Sequence, residues 1–327
     1  MLIICTVCCN NHLPLSLNMA KSAKQHHPFS ELVLCLVEEE IHPIVKDFPY
    51  FDRIVLAKDI GIPDFDKFVF KYNQYEAACA VKPYLLSYLV NEYKHINEFI
   101  YLDSDMKVYS PLEEVRELLQ SKSIMVTPHN TEPVEINYHE EFSRLRDGVI
   151  NGGFIAINRS KEAKDFLYWW AERCRFHCYI DYKNGLFLDQ KWLEFVPCFF
   201  PNSHLLLHPG YNIANWNFTK RNINKGSNGQ YVVNGEPVRF VHFSGLENIY
   251  LPDKTNFFSL LRDEYLDEIT EMKYRELKDI AWSYNYFTSG EQIKPRTKIY
   301  YRHNQKLQDK FPFPFKYSNR VLARREK

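Results

Sequence analysis

Hydrophobic positions in residues 1–250 follow two rhythms. The opening run Leu2-Ile3-Ile4-Cys5-Thr6-Val7 is almost unbroken, and 32–37, 53–57, 99–102, 124–127 and 154–157 repeat it in shorter form. Continuous apolar runs of this length predict strands covered on both faces, as in a mostly parallel sheet. Between the first two runs, Leu15, Met19, Ser22 and Ala23 recur at helical spacing, with Pro14 suited to a first turn and Pro28 beyond the end. Tyr75, Ala78, Val81, Leu85 and Tyr88 predict a second helix over 73–90, where Pro83 demands a kink or a join. Ser110-Pro111 predicts the start of another helix with Ser110 as N-cap, and 161–174 predicts a fourth. Strand and helix in alternation predict an α/β fold.

The polar stretch from 128 to about 148 shows neither rhythm and predicts a loop or lid. Further strands are expected at 205–207 and 237–241, the last delivering His242. Past Leu251 the pattern changes to an acidic helix over about 256–284 and then a tail. Residues 291–327 carry 11 Lys or Arg against three acids, interleaved with Tyr300, Tyr301, Phe311, Phe313, Phe315 and Tyr317. The expected division is a catalytic domain over 1–250 and a helical, basic extension over 251–327. A cationic, aromatic segment suits an anionic membrane surface.

The 41 basic and 41 acidic residues cancel, and no nucleic acid is expected as a partner. The apolar start is too short to span a bilayer and lacks a basic flank or a small-residue cleavage site. The expected location is the cytoplasm, peripheral on the inner face of the plasma membrane if the tail meets lipid. Eight cysteines spread through strand-like runs fit a reduced compartment. The Cys5-x-x-Cys8-Cys9 and Cys174-x-x-x-Cys178 spacings lack the matching knuckle of a zinc site.

The run Tyr101-Leu102-Asp103-Ser104-Asp105-Met106-Lys107-Val108 is the strongest candidate for chemistry. It sets two carboxylates at the carboxyl end of a strand, the edge of an open α/β sheet where ligands bind. Apolar residues on both sides make unpaired charge there costly, which favours a functional reason for it. Alternate side chains share a face, so Asp103 and Asp105 can aim at one ion, and His242 can add a third ligand from a distant strand. Oxygen and nitrogen ligands suit Mn²⁺ or Mg²⁺, and such an ion would neutralise a departing pyrophosphate.

Asp103-Ser104-Asp105 resembles the DxD motif of GT-A sugar transferases, and its neighbours resemble glycosyltransferase family 8 and its bacterial relatives. The resemblance covers about residues 1–250 and implies a Rossmann-like sheet, a nucleotide-sugar donor, most simply a UDP-hexose, and a saccharide or lipid-linked acceptor. It implies donor contacts at Thr6 and Asn10, with Cys8 where the family often has an acid, and at Lys82, Ser104 and the Asn151-Gly152-Gly153 segment. Asp189-Gln190 resembles the family's Asp-Gln pair beside the anomeric carbon, and His242-Phe243-Ser244-Gly245 its His-x-x-Gly segment. The family's lysine three residues after that glycine is replaced by Asn248, leaving Lys82 or Lys254 to meet phosphate. Asn212 through Asn217, with Trp216, is the candidate acceptor side. The same likeness implies retention of anomeric configuration. An inverting reaction would need a base, for which Glu132, Glu135 and Asp147 are available. A phosphatase using the first Asp as nucleophile fits less well, because the pair ends a later strand than the first. A catalytically silent sugar-nucleotide binder is the remaining alternative.

Overall fold

The structure, a computed structural model, describes residues 1–133, 138–227, 229–245 and 257–323. Seven strands form the central sheet: β1 (Leu2–Cys8), β2 (Glu31–Leu36), β3 (Arg53–Leu56), β4 (Glu98–Leu102), β6 (Ile124–Pro128), β7 (Ile150–Ile157) and β10 (Ser203–Leu205). Their order is β10-β6-β7-β4-β1-β2-β3. All neighbours are parallel except β7, which runs against β4 and β6. A smaller three-stranded sheet joins β5 (Met106–Val108), β11 (Ile213–Ala214) and β15 (Phe240–His242). The other strands are short: β8 (Ile180–Asp181) with β9 (Leu186–Phe187), and β12 (Ile223–Lys225), β13 (Tyr231–Val233) and β14 (Glu236–Pro237).

The apolar run of β1 explains its central place. Ile3, Cys5 and Val7 enter one hydrophobic cluster with helices α3 (Gln74–Glu92) and α6 (Lys161–His177), while Leu2 and Ile4 enter another with α1 (Leu13–His26) and α4 (Glu113–Leu118). A strand with no polar face can only sit between two helical layers. Pro83 lies inside α3, where it has no N–H to donate to the preceding turn. Asn73 and Glu76 close a capping box at the start of that helix.

Three expectations need correction. Residues 128–148 are not all loop: α5 (Tyr138–Asp147) lies among them, with acids in its first turn and Arg144 and Arg146 in its last. Phe142 and Leu145 are both exposed, so this helix has no buried stripe for periodicity to reveal. Ser110 does not cap α4, because its hydroxyl donates to the Val238 carbonyl at 2.7 Å and the helix begins at Glu113. Instead the Leu112 N–H donates to His27 Nε2 at 3.1 Å, and burial, with the charge of Arg116, lowers the His27 pKa to about 4, keeping it a neutral acceptor. The acidic stretch after 256 is not one helix; it stops at Glu271, and Lys273 takes a left-handed φ of 66° before a short helix at Tyr274–Leu277.

The tail folds back onto the body. Trp282, Tyr284, Phe287, Ile293, Tyr301, Phe315 and Leu322 share the hydrophobic cluster of β1 and α3. Trp282 Nε1 donates to the Val37 carbonyl at 2.7 Å, and the Arg302 guanidinium pairs with Glu76 at 2.5 Å, both partners buried. Two of the six aromatic residues noted in the tail, Tyr301 and Phe315, are buried and Phe313 is exposed. No helix among the described residues is long and apolar enough to cross a membrane.

Candidate metal and sugar site

The carboxyl ends of β1 and β4 open into a cavity of about 600 Å³. Its wall includes Asn11, His12, Lys82, Asp103, Ser104, Asp105, Asn151, Gly152, Asp189, Gln190 and His242. Asp103 follows β4 directly, and its N–H donates to the Gly153 carbonyl at 2.8 Å, which ties it to β7. β5 then pairs with β15, setting His242 opposite Met106, and the Phe243 N–H donates to the Asp105 carbonyl at 2.9 Å. Two strands more than a hundred residues apart in sequence thus hold one carboxylate and one imidazole side by side. Ligand atoms of Asp103, Asp105 and His242 all lie within 4.8 Å of one another. Two carboxylates and an imidazole at that spacing fit a divalent ion of the Mn²⁺ or Mg²⁺ kind, with room for other oxygen ligands.

His242 Nε2 lies 3.1 Å from Asp105 Oδ1, while its Nδ1 is 3.4 Å from Asn212 Oδ1. Burial is the largest influence and opposes charge on both partners, yet their mutual attraction, joined by the charge of His12 on Asp105 and of Asp103 on His242, leaves the Asp105 pKa lowered and the His242 pKa raised. Asn212 is itself fixed, at a φ of 53° and with its Nδ2 donating to the Pro128 carbonyl at 3.1 Å. His12 Nδ1 sits 3.3 Å from the Ser104 hydroxyl, between the aspartates in sequence.

Asp103 faces a different partner. The Lys82 ammonium lies 3.0 Å from Asp103 Oδ1 and 3.2 Å from Asp189 Oδ2, and donates to the Gly152 carbonyl at 3.1 Å. Lys82 and Asp189 side chains are only 5% and 3% exposed, so this ion pair is fully desolvated. Burial disfavours the ammonium, but Asp103 and Asp189 together hold its pKa well above the ordinary lysine range. Burial pushes the Asp189 carboxyl up, against the pull of Lys82. The Tyr101 hydroxyl adds a 2.7 Å bond to Asp103 Oδ1.

Glycines let these groups converge. A Cβ on Gly153 would stand 2.6 Å from Met106 Cε and 2.7 Å from His242 Cε1, and one on Gly152 would stand 2.9 Å from Gln190 Cβ. Gln190 opens the short helix α7 (Gln190–Leu193), and both ends of its amide are fixed: Oε1 accepts from the Gly152 N–H at 3.3 Å and Nε2 donates to the Asp147 carbonyl at 2.7 Å. Asn151 Oδ1 accepts from the Gly153 N–H at 3.2 Å and its Nδ2 is 3.2 Å from His129 Nε2. Burial, reinforced by Arg144, drives the His129 pKa well below the usual value, leaving a neutral ring.

Not every expected residue meets the cavity. Thr6 is buried in the sheet and Asn10 donates its N–H to Glu38 Oε1 at 2.9 Å; Asn11 and His12 line the wall in their place. Gly245, at a φ of 68°, follows Ser244, which does line it. Trp216 reaches the wall and packs edge-on against His242 with ring centroids 5.3 Å apart. Glu132 is exposed, Asp147 lines the cavity, and Glu135, Lys254 and Asn248 lie outside the described residues. Tyr101 reads in sequence only as an apolar neighbour of the motif, although its spacing of two from Asp103 on a strand puts both on one face. Tyr75, which also lines the cavity, reads only as a helix position, and Arg144 gives no signal of its own.

No protein-family profile matches the chain. The fold is that of the GT-A glycosyltransferases. The galactosyltransferase LgtC, solved with donor and acceptor sugar analogues, superposes with a TM-score of 0.52 at 15% identity, covering 86% of this chain and 98% of LgtC. An active-site mutant of LgtC gives a TM-score of 0.51 at 15% identity, over 81% of this chain and 95% of that one. By sequence the chain is similar to YfnF, an uncharacterized protein of Bacillus subtilis (strain 168), at 26% identity over 253 residues, which is 74% of this chain and 80% of YfnF. It is also similar to YfnD of the same organism, at 22% identity over 244 residues, or 73% and 76% of the two chains.

Proposed function

We propose that this chain is a metal-dependent glycosyltransferase that moves a hexose from a nucleotide diphosphate sugar, most simply a UDP-hexose, to a saccharide or lipid-linked acceptor. The observation that carries the reading is the convergence of Asp103, Asp105 and His242 at the mouth of the sheet, beside a buried Lys82–Asp189 pair and a fixed Gln190. An Mn²⁺ or Mg²⁺ ion held by the first three would neutralise charge growing on the departing diphosphate. The chain's own groups would do the rest. Gly152 lets the backbone approach the donor sugar, and Asp189 accepts its hydroxyls while Lys82 keeps the local charge balanced. The Gln190 amide offers a preorganised dipole beside an oxocarbenium-like centre without the basicity of a nucleophile.

Retention follows if the acceptor attacks on the face that the diphosphate leaves. The bond from the anomeric carbon to phosphate oxygen breaks, the bond to the acceptor oxygen forms, and the acceptor hydroxyl proton passes to the leaving phosphate oxygen. Asp147 would be the base for an inverting reaction, and the anomeric signal of the product in NMR separates the two. Exposed tail cations such as Lys294, Arg296, Lys306 and Lys316 would face a membrane-borne acceptor, which co-sedimentation with anionic vesicles tests.

A thermal-shift screen of nucleotide sugars with and without Mn²⁺ tests the central reading, because a ligand that binds only the folded chain raises its stability. The expected result is a rise in Tm for a nucleotide sugar that depends on the ion. A Tm indifferent to every nucleotide sugar and to Mn²⁺ would refute it; donor binding without turnover across a broad acceptor panel would leave a silent binder.

A further inference from the structure

We propose that Arg144 receives an anionic group, a carboxylate or a phosphate, carried by the sugar acceptor; this rests on the transferase reading above. Arg144 is in the last turn of α5 and lines the cavity. Its own helix offers three acids, Glu140 and Glu141 one turn earlier and Asp147 three residues on, and the guanidinium bonds to none of them. Asp147 is taken by Arg146, at 2.6 and 2.8 Å. Among the described residues the Arg144 side chain has no ion pair or hydrogen bond, and its guanidinium carbon stands 5.9 Å from the centre of the Trp216 ring. A half-buried guanidinium that bonds no anion keeps its charge at a desolvation cost: burial lowers its pKa, although the charges of Asp147 and Glu140 pull the other way.

The other buried charged groups of the wall already have partners. The three metal ligands meet the diphosphate region, and the Lys82 ammonium is spent on Asp103, Asp189 and the Gly152 carbonyl. His129, the next group along, is neutral and bonded to Asn151. Arg144 is the wall's other arginine or lysine, and it stands at a corner with Trp216. An indole gives a sugar ring an apolar face, and a fork of N–H donors beside it matches a carboxylate or phosphate bidentately. The Trp216 ring also touches His242, so a sugar resting there lies next to the metal ligands.

The test titrates the full chain, loaded with UDP and Mn²⁺, with paired sugars in a calorimeter: methyl glucoside against methyl glucuronide, and glucose against glucose 6-phosphate. In the wild type the acidic member should bind about 10- to 100-fold more tightly, the range of a bond to a charged group. R144Q should bring the ratio close to one, and Arg144→Lys should keep part of it. Equal affinity for both members in the wild type, or an acidic advantage that survives in R144Q, overturns the proposal. So does a preference for acid that appears only between UDP-glucuronate and UDP-glucose, which would put the charge on the donor. The readout is binding, so an acid preference lost in R144Q stands even in a chain that never transfers a sugar. Transfer to neutral acceptors with no acid preference would sink this inference and leave the enzyme reading intact.

Discussion

Asp103 and Asp105 are two residues apart on one strand end, yet they keep opposite company. Asp103 is held at Oδ1 by an ionised lysine, buried against Asp189 with 5% of its side chain exposed. Asp105 is held by a histidine, a partner that can give up its proton and become a ligand. The first corner is a permanent charge arrangement that shapes the cavity, and the second is one that a metal ion can take over. A motif that looks symmetrical in sequence is thus divided between structure and exchange.

The largest effect should come from breaking the permanent corner. Lys82→Met strands two carboxylates and should cost on the order of 3–5 kcal/mol of unfolding free energy in urea titration. Adding Asp189→Leu should recover part of that loss, because it removes the fully buried carboxylate and leaves only the more exposed Asp103 without its lysine. If Lys82→Met unfolds at the wild-type midpoint, the two corners do not differ as described. Gly153→Ala comes next: its Cβ would press on Met106 and His242, 2.6 and 2.7 Å away, and overpacking of this kind costs about 1–3 kcal/mol. Here the chain should stay folded with weakened Mn²⁺ binding; unchanged affinity would show that His242 moves freely.

Asn212→Gly probes the exchangeable corner more gently. Glycine accepts the φ of 53° while removing the carboxamide that steadies His242, so Mn²⁺ affinity should fall about 10-fold with little change in melting temperature. The smallest effect is in pH. With metal chelated, the raised His242 pKa gives stability that is full below the unfolded value of about 6.5 and fades as pH rises through the folded one. The lowered Asp105 pKa gives stability that is full above about 3.9 and is lost as pH falls through its folded value. The difference in melting temperature between wild type and His242→Gln should therefore peak between about pH 4 and 6.5, and a flat difference would contradict the pairing.

Much of this was open to reading in the chain itself. The unbroken apolar run of β1 could only be a strand between two layers, and the apolar frame around Asp103 and Asp105 announced charge kept at a buried edge for a reason. Other features were closed to it. Helix α5, with Phe142 and Leu145 turned to solvent, has no stripe for periodicity to find, and Arg144 was lost with it. Lys82 could be read as a solvated helix lysine equally well, because its partners come from β4 and from α7, far along the chain. In the basic tail, local composition did not reveal that Arg302 reaches Glu76 or that Lys298 donates to the Tyr72 carbonyl.

The claim that Asp103, Asp105 and His242 form one metal site is tested most directly by titrating Mn²⁺ into the chain and following the spectrum of the free ion by electron paramagnetic resonance. One ion should bind per chain, and Asp105→Ala should weaken it by at least about 100-fold, as expected when a ligand is removed outright rather than merely loosened. The same stoichiometry and affinity in Asp105→Ala as in the wild type would contradict it.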